Sequence, residues 1–337
     1  MNKFVTTLRN IWSIKDLRTR ILNTIGFLVV FRLGSFVVLP GVDPNRLQES
    51  SNGLFGLLDT FLGGAFSNAS VFGLGIMPYI SASIVFQLLG VAVPHFQKLQ
   101  KEGESGRRKI NQYTRWATVV ITAFQAVGYL GTYIPAEAIL IDQTFFMISS
   151  VILLTAGTMF TVWLGEKITD KGIGNGISML IMIGIISRFP GALLAEGLAR
   201  ELSGMLIFIV ELIVLFFVVM VTVMLVQAVR QIPVQYAKHV VGNKVYGGQR
   251  QYIPLKVNAA GVMPIIFAQS LMFVPAITAS LWSDWSSDSD LATEIGATFA
   301  DYTTWQYNVL FAILIIVFTF FYTAISINPR QIADDMK

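Results

Sequence analysis

Long apolar runs separated by short polar stretches dominate this chain. Runs near the ~20 residues that cross a bilayer as a helix fall at 21–39, 72–93, 115–133, 143–165, 173–190, 204–228, 258–280 and 305–327, which predicts eight spans. The fifth is short and rich in Gly and Ser. A further apolar stretch, 53–71, carries Gly53, Gly56, Gly63 and Gly64. Each Gly inside a helix costs about 1 kcal/mol relative to Ala, so a stable lipid-facing span is not built this way. Non-helical backbone persists at membrane depth only where protein or a water-filled cavity satisfies it. Two readings follow for this stretch: a half-inserted segment folded back inside a bundle, or an exterior loop with a surface helix.

Charge orients the spans. Hydrophobic residues make up 54% of the chain and charged residues 13%, against about 25% charged in soluble domains. With the N-terminus in the cytoplasm, the basic residues of 3–20, 98–115, 167–171, 230–256 and 330–337 all fall on the cytoplasmic face, as the positive-inside bias requires. Of the 24 Lys and Arg, only Arg32, Arg46, Arg188 and Arg200 lie elsewhere. Stretch 281–304 has no Lys or Arg but carries Asp284, Asp288, Asp290, Glu294 and Asp301, and is expected outside. The net charge of +4 is therefore local to one face, where it serves topology and contact with anionic lipid or ribosomal RNA. The first 20 residues are amphipathic and basic, which predicts a cytoplasmic surface helix and not a cleavable signal.

Bond-making chemistry finds no residues. The chain has no Cys, and its histidines are His95 and His239, both in expected cytoplasmic loops. No HExxH motif or paired intramembrane Asp occurs, so neither a metal site nor a catalytic site is predicted, and no cofactor. Apart from Arg115 and Arg188 at span ends, only Arg32 and Glu211 lie within the spans. Glu211 is near a span end and can snorkel; Arg32 reads as a packing or pairing residue. The GIGNG motif at 172–176 lacks the preceding strand of a dinucleotide loop, and KEGESGRRK at 101–109 lacks the GK[ST] ending of a phosphate loop.

Two features ask for a partner or a path. The arm from Arg230 to Lys256, RQIPVQYAKHVVGNKVYGGQRQYIPLK, far exceeds the 2–8 residues that join neighbouring helices and predicts contact with something large outside the membrane. Ile76 and Ile80, Ile177 and Ile181, and Val262 and Ile266 are four residues apart and so share helical faces. Periodicity alone leaves core packing and a pore lining both open for these pairs. Ser81, Ser83, Gln87, Asn258 and Gly261 suit close helix contact or interhelical hydrogen bonds.

Several collinear stretches carry a resemblance that covers essentially the whole chain: FRLGSFVVLPGVD (31–43), GIMPYISASIVFQLL (75–89), KEGESGRRKINQYTR (101–115), WLGEKITDKGIGNGIS (163–178), IPVQYAKHVVGNKVYGGQ (232–249), YIPLKVNAAGVMPIIFA (252–268) and FFYTAISINPRQIADDMK (320–337). The chain resembles the SecY/Sec61-alpha family of protein-conducting channels. The resemblance implies an all-α polytopic membrane protein of the bacterial cytoplasmic membrane, an inverted-repeat helical bundle and a passive channel without enzymatic activity. Its first half would comprise 21–190 and its second 191–337. Two further spans, absent here, would make ten, so the second half is expected to be incomplete and the 337 residues alone not to seal a channel.

The resemblance also implies roles. Leu57, Leu58, Phe61, Gly63, Gly64 and Phe66 would belong to a plug, and Ile76, Ile80, Ile177, Ile181 and Ile266 to a pore ring. Ser83, Gln87, Asn258 and Val262 would line a lateral gate. Arg107, Arg108, Lys238, His239, Lys244 and Arg250 would dock the SecA motor or a ribosome with its nascent chain. SecE, SecG, signal peptides, YidC, SecDF and anionic lipid complete the implied partners. The arm departs from the family, whose members carry a basic doublet where this chain reads Val241, Gly242, Asn243, Lys244; docking there would lean on Lys238, His239 and Arg250. Two other classes compete on the residues: a secondary transporter, which would need polar ligands at the midplane, and a membrane scaffold without a conducting path.

Overall fold

The structure, a computed structural model, describes residues 2–47, 59, 62–200, 204–235, 239–241, 244–246, 250–272 and 304–326. Its helices are α1 (Asn2–Ser13), α2 (Lys15–Gly34), α3 (Met77–Ala92), α4 (Pro94–Lys101), α5 (Glu104–Tyr133), α6 (Gln143–Lys171), α7 (Gly176–Ala199) and α8 (Met205–Gln227). The short α9 (Met263–Met272) and α10 (Trp305–Ser326) follow a β arm. Among the described residues, α6, α7, α8 and α10 are each long and apolar enough to cross a membrane. α3 meets that test only together with α4, into which the chain bends by 97°. The break falls at Val93, whose extended backbone precedes Pro94 as the residue before a proline prefers.

The chain packs as two units, residues 1–192 with 267–311, and residues 193–266 with 312–337. In the first, α5 lies along α3 and α6. Its core gathers Leu39, Leu62, Phe66, Leu74, Tyr129, Phe146 and Leu154, so chain between the helices contributes as much as the helices do. Arg115 on α5 pairs with Glu166 on α6 at 2.6 Å. The GIGNG turn is structural: Thr24 Oγ1 accepts the Ile173 N–H, and the Asn175 side chain caps α7 by accepting from Ile177 N at 3.0 Å.

In the second unit, α8 is apolar along nearly its whole length and buries none of its residues. A helix apolar all round requires a covering of lipid or protein. Arg200 holds Glu196 at 2.6 Å and Glu211, the one acid of α8, at 2.7 Å. The arm is a β-ribbon. Strands β1 (Val229–Gln235) and β4 (Arg250–Lys256) pair antiparallel from Val229↔Lys256 to Gln235↔Arg250. At its far end β2 (His239–Val241) pairs with β3 (Lys244–Tyr246). Pro233 and Pro254 sit in β1 and β4, where a two-stranded ribbon offers only edges and the missing N–H groups need no partner.

Several helix ends differ from the hydropathy boundaries. α2 stops at Gly34, short of the expected 39, and α5 begins at Glu104, well before the expected 115. α7 continues past 190 to Ala199 with Pro190 inside it. The early stop of α2 puts Arg32 in its last turn.

Candidate functional site

The stretch from Leu62 to Ile76 is largely non-helical and lies inside the first unit. Leu62, Ala65, Phe66, Ala69, Phe72 and Leu74 are buried. Buried backbone must find hydrogen bonds, and here much of the bonding is internal: Asn68 N donates to Gly64 O, Ser70 N to Ala65 O, Gly73 N to Ser70 O and Gly75 N to Phe72 O. The rest comes from chain just past α2, where Leu39 N donates to Ala69 O and Val71 N to Val37 O, each at 2.9 Å. Those bonds end α2 early, since residues 37–39 pair with the segment and do not extend the helix. Tyr129 on α5 donates its hydroxyl to Phe66 O at 2.8 Å, and its ring lies 4.6 Å from that of Phe66. Residues 62–71 of the Gly-rich stretch are thus enclosed by the first unit, and 53–58, 60 and 61 lie outside the described residues.

Little space remains around it. Leu62, Phe66, Gly73, Leu74, Met77, Gln125 and Ser270 line a cavity of about 10 Å³, which holds at most a single water. Among the described residues, Gln125 Oε1, buried at this wall, finds no hydrogen-bond partner. Ser81 on α3 and Ser270 on α9 share a hydrogen bond across the same region of the first unit.

Charge also reaches the segment. Asp59 Oδ2 pairs with Arg188 Nη2 of α7 at 2.6 Å, and Asp59 Oδ1 accepts the Ser67 N–H at 2.9 Å. Arg188 Nη2 donates to Ser67 Oγ at 3.0 Å. From α2, Arg32 Nη1 donates to Gly63 O at 2.5 Å, with its guanidinium 4.9 Å from the centre of the Phe36 ring. Neither Asp59 nor its pairing with Arg188 follows from helical periodicity. The available signal was Asp59 itself, the only acidic residue between Glu49 and Glu102, inside an otherwise apolar run.

The other sequence-derived positions distribute as follows. Ile76 and Ile80 are buried at the start of α3, where Ile80 N donates to Ile76 O. Ile177 and Ile181 are half-buried on α7. Ile266 is buried on α9 and belongs, with Val262 and Asn258, to the second unit. Gln87 donates to Ser83 one turn back at 3.3 Å, and Asn258 Oδ1 accepts from Gly261 N at 2.9 Å, so each engages its own element. Of the plug positions, Gly63, Gly64 and Phe66 are in the buried segment, while Leu57, Leu58 and Phe61 lie outside the described residues. Arg107 and Arg108 are exposed near the start of α5, Arg108 bonded to Glu104 at 2.7 Å. His239 and Lys244 lie on β2 and β3, Arg250 opens β4, and Lys238 lies outside the described residues.

Four apolar helices long enough to cross a membrane, among the described residues, define a polytopic helical membrane protein. The chain belongs to the SecY family, whose sequence model matches residues 70–337. It is 44% identical to the protein translocase subunit SecY of Streptomyces coelicolor, across 99% of this chain and 79% of that protein. With the protein translocase subunit SecY of Escherichia coli K12 it shares 43% identity, across 96% of this chain and 74% of that protein. Its fold is similar to that of a protein-conducting channel (TM-score 0.59, 16% identity, 92% of this chain and 73% of that one). It is likewise similar to Sec61 in the canine ribosome-channel complex from the endoplasmic reticulum (TM-score 0.60, 16% identity, 95% and 76%).

Proposed function

We propose that this chain is the channel subunit of a bacterial protein translocase. It passes unfolded secretory polypeptides across the cytoplasmic membrane and releases membrane helices sideways to lipid. The observation that carries the reading is the buried, self-bonded segment 62–76 at the heart of an apolar bundle, in a chain of this family. Its residues 62–71 serve as the plug, within the Gly-rich stretch 53–71, with Leu57, Leu58 and Phe61 as further residues. Ile76, Ile80, Ile177, Ile181 and Ile266 form the ring. Uncharged aliphatic side chains bind no particular passing residue, and a hydrophobic constriction resists ions by dewetting when closed.

α3 and α9 form the edges of the lateral gate, with Ser83, Gln87, Asn258 and Val262 along it. The Ser81–Ser270 hydrogen bond supports this reading, because a lone polar pair between membrane helices contributes only about 0.6–2 kcal/mol and can be broken in each cycle. The driving force is external, from the ribosome or the SecA ATPase, docked on the basic face through Arg107, Arg108 and the arm. The ribosome-channel complex among the similar structures supports the first of these partners. SecE and SecG cover apolar surface such as that of α8, and anionic lipid, signal peptides, YidC and SecDF are the remaining partners. The N-terminus is cytoplasmic.

A photo-reactive residue in place of Ile80, in membranes carrying the chain with its partner subunits, tests the reading. A stalled secretory nascent chain is expected to crosslink there. Crosslinks to lipid and neighbouring helices alone would overturn the channel.

A further inference from the structure

Two arginines from different helices converge on the Gly-rich segment, and the segment's one carboxylate is buried at the meeting point. The Asp59 side chain is 7% exposed and the Arg188 side chain 45%. An exposed ion pair contributes little. A buried carboxylate deprived of its cation is another matter, since desolvation then goes uncompensated. Asp59 is also tied into the segment by the Ser67 N–H, so a pull on this carboxylate is a pull on the segment.

The double glycine makes the approach possible. Gly63 and Gly64 adopt φ of +64° and +94°, conformations that side-chain-bearing residues rarely take. A Cβ on Gly63 would stand 2.8 Å from both Arg32 Nη1 and Gly184 O, and one on Gly64 would stand 3.1 Å from Arg188 Nη2. Bare backbone at these positions therefore lets both guanidiniums close on the segment, Arg32 on the Gly63 carbonyl and Arg188 on Asp59.

We propose that the Asp59–Arg188 ion pair, seconded by Arg32 on the Gly63 carbonyl, is a latch that holds segment 62–71 in its closed seat. The proposal rests on the channel reading and adds to it the residues that set how readily the plug leaves. The physics suits a reversible catch. With its carboxylate buried, the pair is stronger than one in open water, and nearby Ser67 and Gly63 offer further hydrogen bonds. Once the segment moves into water, both ions are solvated and the pair loses most of its hold. Water entering with a translocating chain would therefore release the latch, and its exclusion would reset it.

The absence of Cys permits a clean test, because one introduced thiol is the sole target of a membrane-impermeant maleimide. Membranes carrying the full chain with its partner subunits and the single change Asn68→Cys report on the segment. A second set with Ile168→Cys, a fully buried position on α6, reports on the fold. Asp59→Asn and Arg188→Gln are each expected to accelerate labelling at position 68 by about tenfold or more and to leave position 168 unlabelled. Arg188→Lys, which keeps the charge, is expected to stay near the parent rate. Parental rates at position 68 in both Asp59→Asn and Arg188→Gln overturn the latch. So does labelling at 168 in those variants, which would mean the bundle and not the segment had opened. Deleting residues 62–71 separates the two proposals. An ion leak on deletion alongside parental labelling in the point variants removes the latch and leaves the channel. A tight membrane on deletion, with no nascent-chain crosslink at Ile80, removes both.

Discussion

At the scale of single residues, the buried segment depends on contacts in which one atom decides the outcome. Tyr129 is almost fully buried and its hydroxyl reaches Phe66 O at 2.8 Å. Tyr129→Phe keeps the ring against Phe66 and Tyr133 and deletes only this donor. Because Phe66 O still accepts from Ala69 N, the expected cost is about 1 kcal/mol, measurable as a lower denaturation midpoint in detergent. Gly63→Ala is expected to cost more. The new methyl meets the Gly184 carbonyl, which is backbone and cannot swing aside, and the left-handed φ itself disfavours an L side chain by about 1–2 kcal/mol. A midpoint shift in Gly63→Ala no larger than that in Tyr129→Phe would count against the double glycine as the feature that fits the segment to its seat.

At the scale of elements, hydropathy located α8 and α10 to within a residue or two, because burial in lipid or protein is what a run of Leu, Ile, Val and Phe demands. It failed where tertiary hydrogen bonds compete with the helix. Phe36 to Leu39 are apolar enough to prolong α2, yet Val37 and Leu39 pair with Val71 and Ala69. It also failed for α5, whose polar first turns from Glu104 are helical although no lipid requires them. In the site, the glycines were legible because composition marks them; spacing put the isoleucines on shared helical faces and left their role open. The Asp59–Arg188 pair was not legible, because only the fold brings α7 to the segment.

The β-ribbon of the arm was equally hidden, since its prolines and glycines break the alternation that would announce strands. Its register bears on docking: β1 and β4 pair along their full lengths, and β2 pairs with β3 between them in sequence. If the arm grips ribosomal RNA, the triple change Lys238→Ala, Lys244→Ala and Arg250→Ala should flatten the log-affinity against log-salt slope by roughly two to three, as read by ribosome cosedimentation over a salt series. An unchanged slope would assign the grip to Arg107 and Arg108 instead.

At the scale of the whole molecule, the charge distribution makes one orientation far more favourable than its inverse. Basic residues near the ends of short loops are retained on the cytoplasmic side, and acidic residues contribute little. The arm carries Arg230, Lys238, Lys244, Arg250 and Lys256, whereas 281–304 carries no Lys or Arg. α9 and the apolar residues continuing beyond it to 280 separate the two, so they must lie on opposite faces if this stretch crosses. A phosphatase that is active only after export and disulfide formation reads the side directly. Fused after residue 295 it is expected to be active, and fused after residue 248 inactive. The pattern should resist removal of any one arm cation, because five of them share the bias. Adding three Lys to 281–304 works against that bias and should lower the activity of the 295 fusion. Equal activity at both sites would mean that residues 258–280 do not cross. The gate edge assigned to α9 would then have no span to belong to, and the channel would have to be built without it.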